Sequence, residues 1–223
     1  MFNFTDDTII KESMREKISS DDLNKLANHY VCDKGDTHSC AHNYVQHYEK
    51  YFHSIRHNPI KLLEIGVAQG SSLKMWASYF TNCQIDGIDI NPLCKGICKD
   101  FSNIKIIIGN AVSYTPSEDY DIIIDDGSHL ASDIINSFNN FFPKMKSGSV
   151  YIIEDLYSCA NIEYVKQFFK FTYRHDNDLE TFIEQNSRHH IDKFILKLQE
   201  NNIKYEKYWN ENSKGEICFI HKL

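Results

Sequence analysis

Five short apolar runs, separated by amphipathic segments, constrain the fold of residues 59–223 more than any other feature of the sequence. Most of the runs are apolar on both sides, which is typical of strands that helices cover on both faces of a sheet. Their alternation with amphipathic segments predicts repeated βα units and an α/β fold. One of these segments, NPLCKGICKDF (91–101), is expected to form a helix with Asn91 as its cap and Pro92 at its first position. The five runs are KLLEIG (61–66), QIDGIDI (84–90), IKIII (104–108), YDIIID (120–125) and SVYIIED (149–155).

The C-terminal part of the chain departs from this alternation. A long helical region, roughly residues 161–201, follows the fifth run, and two candidate strands at 203–209 and 216–223 come after it. The polar link NENSKG between these two strands is short, so we expect an antiparallel hairpin there and not another crossover. Five βα units followed by a terminal hairpin are therefore predicted.

Residues 1–58 differ in texture from the rest and predict a small helical N-terminal extension. One short helix is expected over 21–30 and another over 41–57, the second rich in histidine and tyrosine. Between them lies the glycine-bearing loop VCDKGDTHSC. We therefore expect two parts, a helical extension over 1–58 and a larger α/β domain over 59–223.

Charge and cysteine usage exclude several classes of protein. The net charge is −7, and no basic cluster is present to neutralise nucleic-acid phosphates, so no nucleic-acid partner is expected. The seven cysteines are dispersed and do not form a zinc pattern, which favours reduced structural thiols in a cytoplasmic protein. The N-terminus does not have the pattern of a signal peptide, and no stretch reaches transmembrane length, so no membrane partner is expected.

The first apolar run leads into a glycine-punctuated turn, in the stretch KLLEIGVAQGSS (61–72). Gly66 and Gly70 allow the backbone to bend and to pass close to a ligand. A helix that opens at once, with Ser71 or Ser72 as its cap, directs free N–H groups towards that turn. This arrangement predicts a site for a nucleoside-bearing cofactor in an open α/β sheet.

Two acidic residues refine the identity of that cofactor. Asp89 ends the second run, 23 residues after Gly66, where a carboxylate can accept hydrogen bonds from ribose hydroxyls. Glu64 precedes the first glycine, and a carboxylate there repels pyrophosphate but can pair with a cationic ligand. This favours S-adenosylmethionine over NAD, although a glutamate at a strand end can also be structural.

A second polar group follows the fourth and fifth runs, in IIIDDGSHL (122–130) and IIEDL (152–156). Neighbouring strands lie about 4.8 Å apart, so four acids should share a small volume: Asp125, Asp126, Glu154 and Asp155. Carboxylates this close repel one another unless a cation lies among them, and oxygen ligands suit Mg²⁺ or another hard divalent ion. The alternative is that one or two of these acids, such as Asp155, cap helices.

Histidines with a possible chemical role lie in two places in the sequence. His129 lies three residues beyond Asp126 and could act as a general base on a hydroxyl that the metal has made more acidic. His38, His42 and His47 resemble a metal cluster by count alone. Their tyrosine and phenylalanine neighbours favour ordinary packing or a sugar-stacking wall over a second metal site.

On the stretch KLLEIGVAQGSS, the segment GIDI and the terminal hairpin, residues 59–223 resemble the class I S-adenosylmethionine-dependent methyltransferases. The resemblance implies a Rossmann-like, doubly wound, seven-stranded sheet of order 3-2-1-4-5-7-6 with the last strand antiparallel. It implies that Glu64, Gly66 and Gly70 flank the methionine part of the cofactor and that Asp89 holds the ribose. The other residues expected at the cofactor are Ser71, Asn110, Ala111 and Asp125. Two departures from the family pattern are Ala68, where many members have glycine, and Asn110, often an aspartate.

The segments DDGSH and IEDL, with DKGDTHSCAHNYVQHYEKYF (33–52), narrow the resemblance to metal-dependent sugar O-methyltransferases that act on macrolide antibiotics and their relatives in bacterial surface-glycan clusters. The resemblance implies Mg²⁺, or Mn²⁺, on Asp126, Glu154 and Asp155, with His129 as the base. It also implies that residues 33–52 close over cofactor and acceptor. The macrolide enzymes often carry a larger N-terminal region, so their acceptor and oligomer arrangement is not transferred, and a homo-oligomer stays open.

The sequence is compatible with other functions as well. The acceptor is expected to be a small molecule or a glycan precursor, although a phosphoryl or phosphoramidate group also offers oxygens to a metal, and catechol-type phenols are a third, less favoured class. A non-catalytic S-adenosylmethionine-binding module and a nicotinamide-dependent oxidoreductase are the rivals from other classes. The intact acid cluster and His129 favour the methyltransferase.

Overall fold

The structure is a computed structural model of the 223-residue chain. It describes residues 18, 20–116, 119–172, 179–211 and 215–223, with the side chains of 171 and 172 left aside. The chain divides into two units, one made of residues 1–111 and 210–213 and the other of residues 112–209 and 214–223. The predicted division at residue 58 is a different proposal, and it stays a prediction.

The first unit contains three strands and three α-helices in its described part. The strands are β1 (Ile60–Ile65), β2 (Cys83–Asp89) and β3 (Ile104–Ile108), and the helices are α1 (Leu23–His29), α2 (Val45–Phe52) and α3 (Ser71–Tyr79). β1 pairs in parallel with β2, and β2 pairs in parallel with β3. Short 3-10 helices lie at His53–Ile55 and Pro92–Cys94.

The second unit contains the remaining strands and helices of the described chain. The strands are β4 (Ile122–Asp125), β5 (Val150–Ile153), β6 (Tyr205–Asn210) and β7 (Gly215–His221). The helices are α4 (Ala131–Phe141), α5 (Ile162–Thr172), α6 (Leu179–Gln185) and α7 (Arg188–Glu200), with 3-10 helices at Phe142–Lys144 and Leu156–Ala160. β4 and β5 are parallel, whereas β5 and β7 are antiparallel.

The strand order confirms the predicted topology. The seven strands are ordered β3-β2-β1-β4-β5-β7-β6. The hairpin is also confirmed, since the His221 N–H donates to the Lys204 carbonyl at 2.9 Å and so joins the outer ends of β6 and β7. β4 and β5 are buried at every position, as expected for strands covered on both faces.

One predicted helix is wrong. NPLCKGICKDF was expected to form a helix after β2, but only the 3-10 helix Pro92–Cys94 and a run of turns are present. The cap itself was predicted correctly, because the Asn91 side chain accepts a hydrogen bond from the Leu93 N–H at 3.0 Å. Gly96 and Cys98 take left-handed backbone angles, with φ of +103° and +65°, which a continuing helix does not allow.

Aromatic packing in the first unit explains the tyrosine-rich helix α2. Tyr48 and Phe52 contact the Trp76 ring of α3, with centroids 4.9 and 5.7 Å apart, and Phe52 also contacts Phe80 at 5.3 Å. All four rings are buried. This face of α2 therefore belongs to the core of the unit. Whether residues 33–52 close over a cofactor and an acceptor stays a prediction.

Membrane insertion by a helix finds no support in the described residues. None of their helices combines the length and the apolar character that crossing a bilayer requires.

Candidate functional site

The glycine turn that follows β1 bends through three residues with positive φ. These are Gly66 at +92°, Ala68 at +46° and Gly70 at +74°, and the Gly70 N–H closes the bend by donating to the Val67 carbonyl at 2.7 Å. A Cβ at Gly70 would lie 2.5 Å from the Cys98 sulfur and 2.6 Å from a methyl group of Ile97. Glycine is therefore required at position 70 for two reasons: the backbone is left-handed, and a side chain has no room there.

Asp89, at the end of β2, holds this turn through its carboxylate. Oδ2 accepts hydrogen bonds from the N–H groups of Val67 at 2.9 Å and Ala68 at 3.3 Å, and Oδ1 accepts one from Asn91 at 2.8 Å. The residue predicted to bind ribose therefore also fixes the backbone against which a cofactor would lie. The ribose contact itself stays a prediction.

Glu64 lies fully buried beneath the turn. Its carboxylate accepts hydrogen bonds from the Ser72 hydroxyl and, at 2.7 Å, from the Trp76 indole N–H, so it attaches α3 to β1. The expected serine cap is wrong, because α3 begins at Ser71 with Gly70 in the cap position and without a side-chain cap. The contacts of Glu64 with the cofactor stay a prediction, and so do those of Ser71.

Two more predicted cofactor residues follow β3 in the same unit. Gly109 is held to β2, since its N–H donates to the Asp89 carbonyl at 2.8 Å. Asn110 is exposed, and Ala111 is 7% exposed. The structure thus puts the glycine turn, Asp89 and the start of the segment after β3 in one unit, at consecutive carboxyl ends of parallel strands.

The acid cluster forms at the carboxyl ends of β4 and β5. The two strands run in parallel with Asp125 opposite Ile153, and the Glu154 N–H continues the pairing by donating to the Asp125 carbonyl at 3.0 Å. This register brings the residues after the strands together. Asp126, His129 and Asp155 each offer a ligand atom, and these atoms lie within 4.8 Å of one another. Among the described residues, this is the group whose donors could hold a metal ion, and it does not include His38, His42 or His47.

His129 lies between the two aspartates. Its Nε2 is 3.9 Å from a carboxylate oxygen of Asp126 and 3.9 Å from one of Asp155. His129 and Asp155 both have left-handed backbones, with φ of +55° and +54°. Non-glycine residues in this region carry a strain of about 1–3 kcal/mol and are concentrated at functional sites. The cluster is therefore built at an energetic cost.

The four predicted acids divide by burial. Asp125 and Glu154 are 4% and 2% exposed, whereas the side chains of Asp126 and Asp155 are 20% and 15% exposed. Burial raises the pKa of Asp125 to about 7. The Tyr151 hydroxyl, which donates to this carboxylate at 2.9 Å, opposes part of that rise. Glu154, predicted as a metal ligand, lies outside the group of three, and His129, predicted as the base, lies inside it. Their roles stay predictions.

Sequence reasoning missed three residues that contact this region. Tyr151 bonds Asp125, and the main chain at Ser128 and His129 accepts hydrogen bonds from Tyr164 and Cys159. No motif signals them, because two act on backbone carbonyls and the third lies within an apolar strand.

Several known proteins are similar to this chain in sequence. No family model matches the chain. An 8-demethyl-8-(2-methoxy-alpha-L-rhamnosyl)-tetracenomycin-C 3'-O-methyltransferase of Streptomyces olivaceus is 34% identical over 154 residues, which is 61% of this chain and 37% of that protein. A mycinamicin VI 2''-O-methyltransferase of Micromonospora griseorubida is 32% identical over 61% of this chain and 36% of its own length. The chain thus spans little more than a third of these relatives.

A solved structure decides the fold. MycE methyltransferase from the mycinamycin biosynthetic pathway, in complex with Mg, SAH and mycinamycin VI, superposes with a TM-score of 0.65 at 25% identity, over 92% of this chain and 55% of that one. The chain has the class I methyltransferase fold. A Podospora anserina methyltransferase, PaMTH1, bound to SAH and 14% identical, repeats the methyltransferase fold with a TM-score of 0.56 over 100% of this chain and 98% of its own. The predicted resemblance to sugar O-methyltransferases is therefore confirmed.

Proposed function

We propose that the protein is an S-adenosylmethionine-dependent and divalent-metal-dependent O-methyltransferase that acts on a hydroxyl of a sugar or sugar-like acceptor. The observation that carries the proposal is the convergence of Asp126, His129 and Asp155 at the ends of β4 and β5. The two O-methyltransferases described above and the MycE complex with Mg and SAH support it.

The donor set fits a hard divalent cation. Two partly exposed carboxylates and an imidazole lie within 4.8 Å, and the buried Glu154 adjoins them in the chain. We assign Asp126 and Asp155, with Glu154, to Mg²⁺ or Mn²⁺. Bound there, the metal would supply Lewis-acid chemistry that lowers the pKa of an acceptor hydroxyl.

His129 takes the proton in this proposal. A neutral imidazole accepts a proton near pH 7, and its place 3.9 Å from both aspartates lets them stabilise the imidazolium that results. Asp126 would share in catalysis by holding both the metal and this histidine in register. General-base catalysis of this kind contributes roughly 10²–10⁴-fold.

The first unit would hold the cofactor. S-adenosylmethionine supplies the methyl group, and transfer to an oxygen requires mainly proximity and alignment. The Asp89 carboxylate would accept hydrogen bonds from the ribose hydroxyls, using the oxygen lone pairs that do not accept from the backbone N–H groups of the turn. Gly66 and Gly70 allow close approach of the backbone, and Asn110 and Ala111 would lie near the adenine. The other residues of this unit that we assign to the cofactor are Glu64 and Ser71.

A glycosylated small molecule is the acceptor class that we favour, because the Streptomyces olivaceus relative is named for a rhamnosyl tetracenomycin. A precursor of a bacterial surface polysaccharide is the second sugar acceptor. A phosphoryl or phosphoramidate group is the alternative outside sugars. The cytoplasm is the proposed location, since the seven cysteines, all within the described residues, are thiols and not disulfides.

A transfer assay tests the proposal. Methyl-labelled S-adenosylmethionine is incubated with rhamnosyl glycosides, with Mg²⁺ or with EDTA, while S-adenosylhomocysteine affinity is measured by calorimetry. We expect transfer with Mg²⁺, loss of transfer in EDTA, and affinity that EDTA leaves unchanged. Transfer that survives complete removal of metal contradicts the metal assignment. Binding of S-adenosylhomocysteine without transfer to glycosides or phosphorylated acceptors favours a non-catalytic binding module.

The role of His129 is tested separately. His129→Ala should lower transfer by about 10²–10⁴-fold and keep the affinity for Mn²⁺. A matched control is His189→Ala, since His189 is exposed on α7 of the same unit. Loss of Mn²⁺ affinity in His129→Ala would make the histidine a ligand instead of the base.

A further inference from the structure

The turn that carries His129 is held by hydrogen bonds from within and from outside. On the near side, the Ser128 hydroxyl donates to Asp133, in the first turn of α4, at 2.6 Å and accepts from the Leu130 N–H at 3.3 Å. His129 itself has a φ of +55°. A histidine in this region tends to relax towards negative φ unless its surroundings hold it. The peptide groups on either side of His129 must therefore be held in place by other residues.

Two side chains from beyond β5 bond the main chain of this turn. The Tyr164 hydroxyl, on α5, donates to the Ser128 carbonyl at 2.9 Å. The Cys159 thiol, in the 3-10 helix Leu156–Ala160, lies 2.9 Å from the His129 carbonyl oxygen and donates to it. The two carbonyls are consecutive, so together the two donors fix the peptide groups on both sides of the histidine.

We propose that Tyr164 and Cys159 are positioning residues that hold the His129 imidazole beside Asp126 and Asp155. The inference rests on the role proposed above for His129. Neither residue touches the reacting atoms in this assignment. Each acts through a backbone carbonyl, so that the strained conformation, and with it the position of the imidazole, depends on donors from α5 and the preceding 3-10 helix.

Other features of Tyr164 agree with this role. Its ring lies 6.3 Å from the His129 ring, centroid to centroid, at an angle of 45°. Burial, together with the charges of Asp155, Cys159 and Asp126, raises the pKa of Tyr164. The hydroxyl therefore keeps its proton at neutral pH and remains a donor to Ser128.

The same elements place Asp155. The 3-10 helix begins directly after it, and the Ser158 N–H donates to the Asp155 carbonyl at 2.9 Å. Cys159 is the next residue, and it is buried. One short helix therefore carries both an acid of the cluster at its start and a donor to the His129 carbonyl, so that the two sides of the cluster are joined through it.

The test compares Tyr164→Phe with Tyr208→Phe. Both remove one hydroxyl and keep the ring, but the Tyr208 hydroxyl donates to Glu206 on β6 and not to the histidine turn. Amide hydrogen exchange over residues 127–134 and the Mg²⁺-induced shift of the His129 imidazole ¹⁵N signals are measured in each protein. S-adenosylhomocysteine affinity is measured beside them.

We expect Tyr164→Phe to exchange at least tenfold faster over 127–134 and to lose most of the Mg²⁺-induced shift. Affinity for S-adenosylhomocysteine and exchange elsewhere should match the Tyr208→Phe protein. Cys159→Ala should give a smaller acceleration of several-fold, confined to the same segment. Where a transfer assay is available, kcat should fall in both variants with the KM for S-adenosylmethionine unchanged.

Exchange over 127–134 that stays at the wild-type rate in both Tyr164→Phe and Cys159→Ala would overturn the inference. Equal acceleration throughout residues 112–209 would overturn it too, because it would indicate a general loss of stability. The role proposed for His129 fails by a different observation, namely transfer that His129→Ala leaves intact, and the proposed function fails if the wild-type protein binds S-adenosylhomocysteine but transfers no methyl group.

Discussion

Replacing Gly70 by alanine gives a direct test of the cofactor turn. The backbone of Gly70 is left-handed, with φ +74° and ψ +17°. An added methyl group would lie 2.5 Å from Cys98 Sγ and 2.6 Å from Ile97 Cγ2. Both distances are below what real Cβ atoms adopt, so the turn, or the segment that carries Cys98, must move.

The expected magnitude has two parts. A non-glycine residue in a left-handed conformation costs about 1–3 kcal/mol, and forcing a methyl group into filled space costs about 1–3 kcal/mol more. Gly96→Ala in the same unit separates the two. Gly96 also has a positive φ, +103°, but a Cβ there meets nothing within 4 Å. It should therefore carry the backbone cost alone, and Gly70→Ala should be less stable than Gly96→Ala by about 1–3 kcal/mol.

Urea unfolding followed by tryptophan fluorescence measures the difference, since Trp76 is fully buried in this unit. Calorimetry with S-adenosylhomocysteine supplies the functional readout. We expect Gly70→Ala to weaken binding and Gly96→Ala to keep most of it. Equal unfolding free energies in the two variants, or unchanged binding in Gly70→Ala, would refute the reasoning that space at this turn is fully used.

Two further predictions concern the thiols and the ion pair between the partly exposed Arg188 and the buried Glu216. Ellman's reagent should modify one thiol quickly, and Cys40→Ser should remove that phase, because Cys40 is half-buried whereas the other six cysteines are buried; a second fast thiol would contradict this. Arg188→Met should destabilise the protein at pH 7 by less than the about 3–5 kcal/mol typical of a broken buried pair, because Lys207 still contacts Glu216 at 2.7 Å. Burial would raise the pKa of Glu216, but Arg188 and Lys207 outweigh it and lower the pKa below its usual value. The stability that Glu216 contributes is therefore fully present above its pKa in the unfolded chain and is lost as the pH falls through its lower pKa in the folded protein. The difference in melting temperature between Arg188→Met and the wild type should accordingly shrink in acid, as thermal unfolding would show.

The fold could be predicted because burial acts strand by strand. β4 and β5 are short, apolar and buried at every position, so their sequence alone indicates covered strands. The segment after β2 could not be predicted in the same way. Asn91 and Pro92 start a helix there, as predicted, but the helix ends after one turn, and Gly96 and Cys98 then take left-handed backbone angles. The reason for that conformation lies partly in packing, since the Cys98 thiol donates to the Gly70 carbonyl at 3.6 Å.

Candidate site residues divide along a similar line. Asp89 and Glu64 could be singled out from their positions at strand ends, but the sequence does not reveal that both are already engaged by the protein. Asp89 accepts hydrogen bonds from the turn, and Glu64 accepts them from α3. Such tertiary contacts depend on which distant residues pack against a side chain, and the local sequence pattern does not specify those residues.

The paired acids after β4 and β5 show how strand geometry assigns two different tasks to chemically similar neighbours. Successive side chains at a strand end point in opposite directions. In each pair the first acid is buried, at 4% for Asp125 and 2% for Glu154, and the second is partly exposed. Asp125 bonds Tyr151 within the second unit, so it is committed to the scaffold, whereas Asp126 and Asp155 keep oxygens beside His129. At the end of β4, two acids in succession therefore allow one carboxylate to bond within the scaffold and the next to be offered to a ligand. On this reasoning Asp126→Asn and Asp155→Asn should lower Mn²⁺ affinity more than Asp125→Asn does, and equal losses in calorimetry would show that the buried acid is itself a ligand.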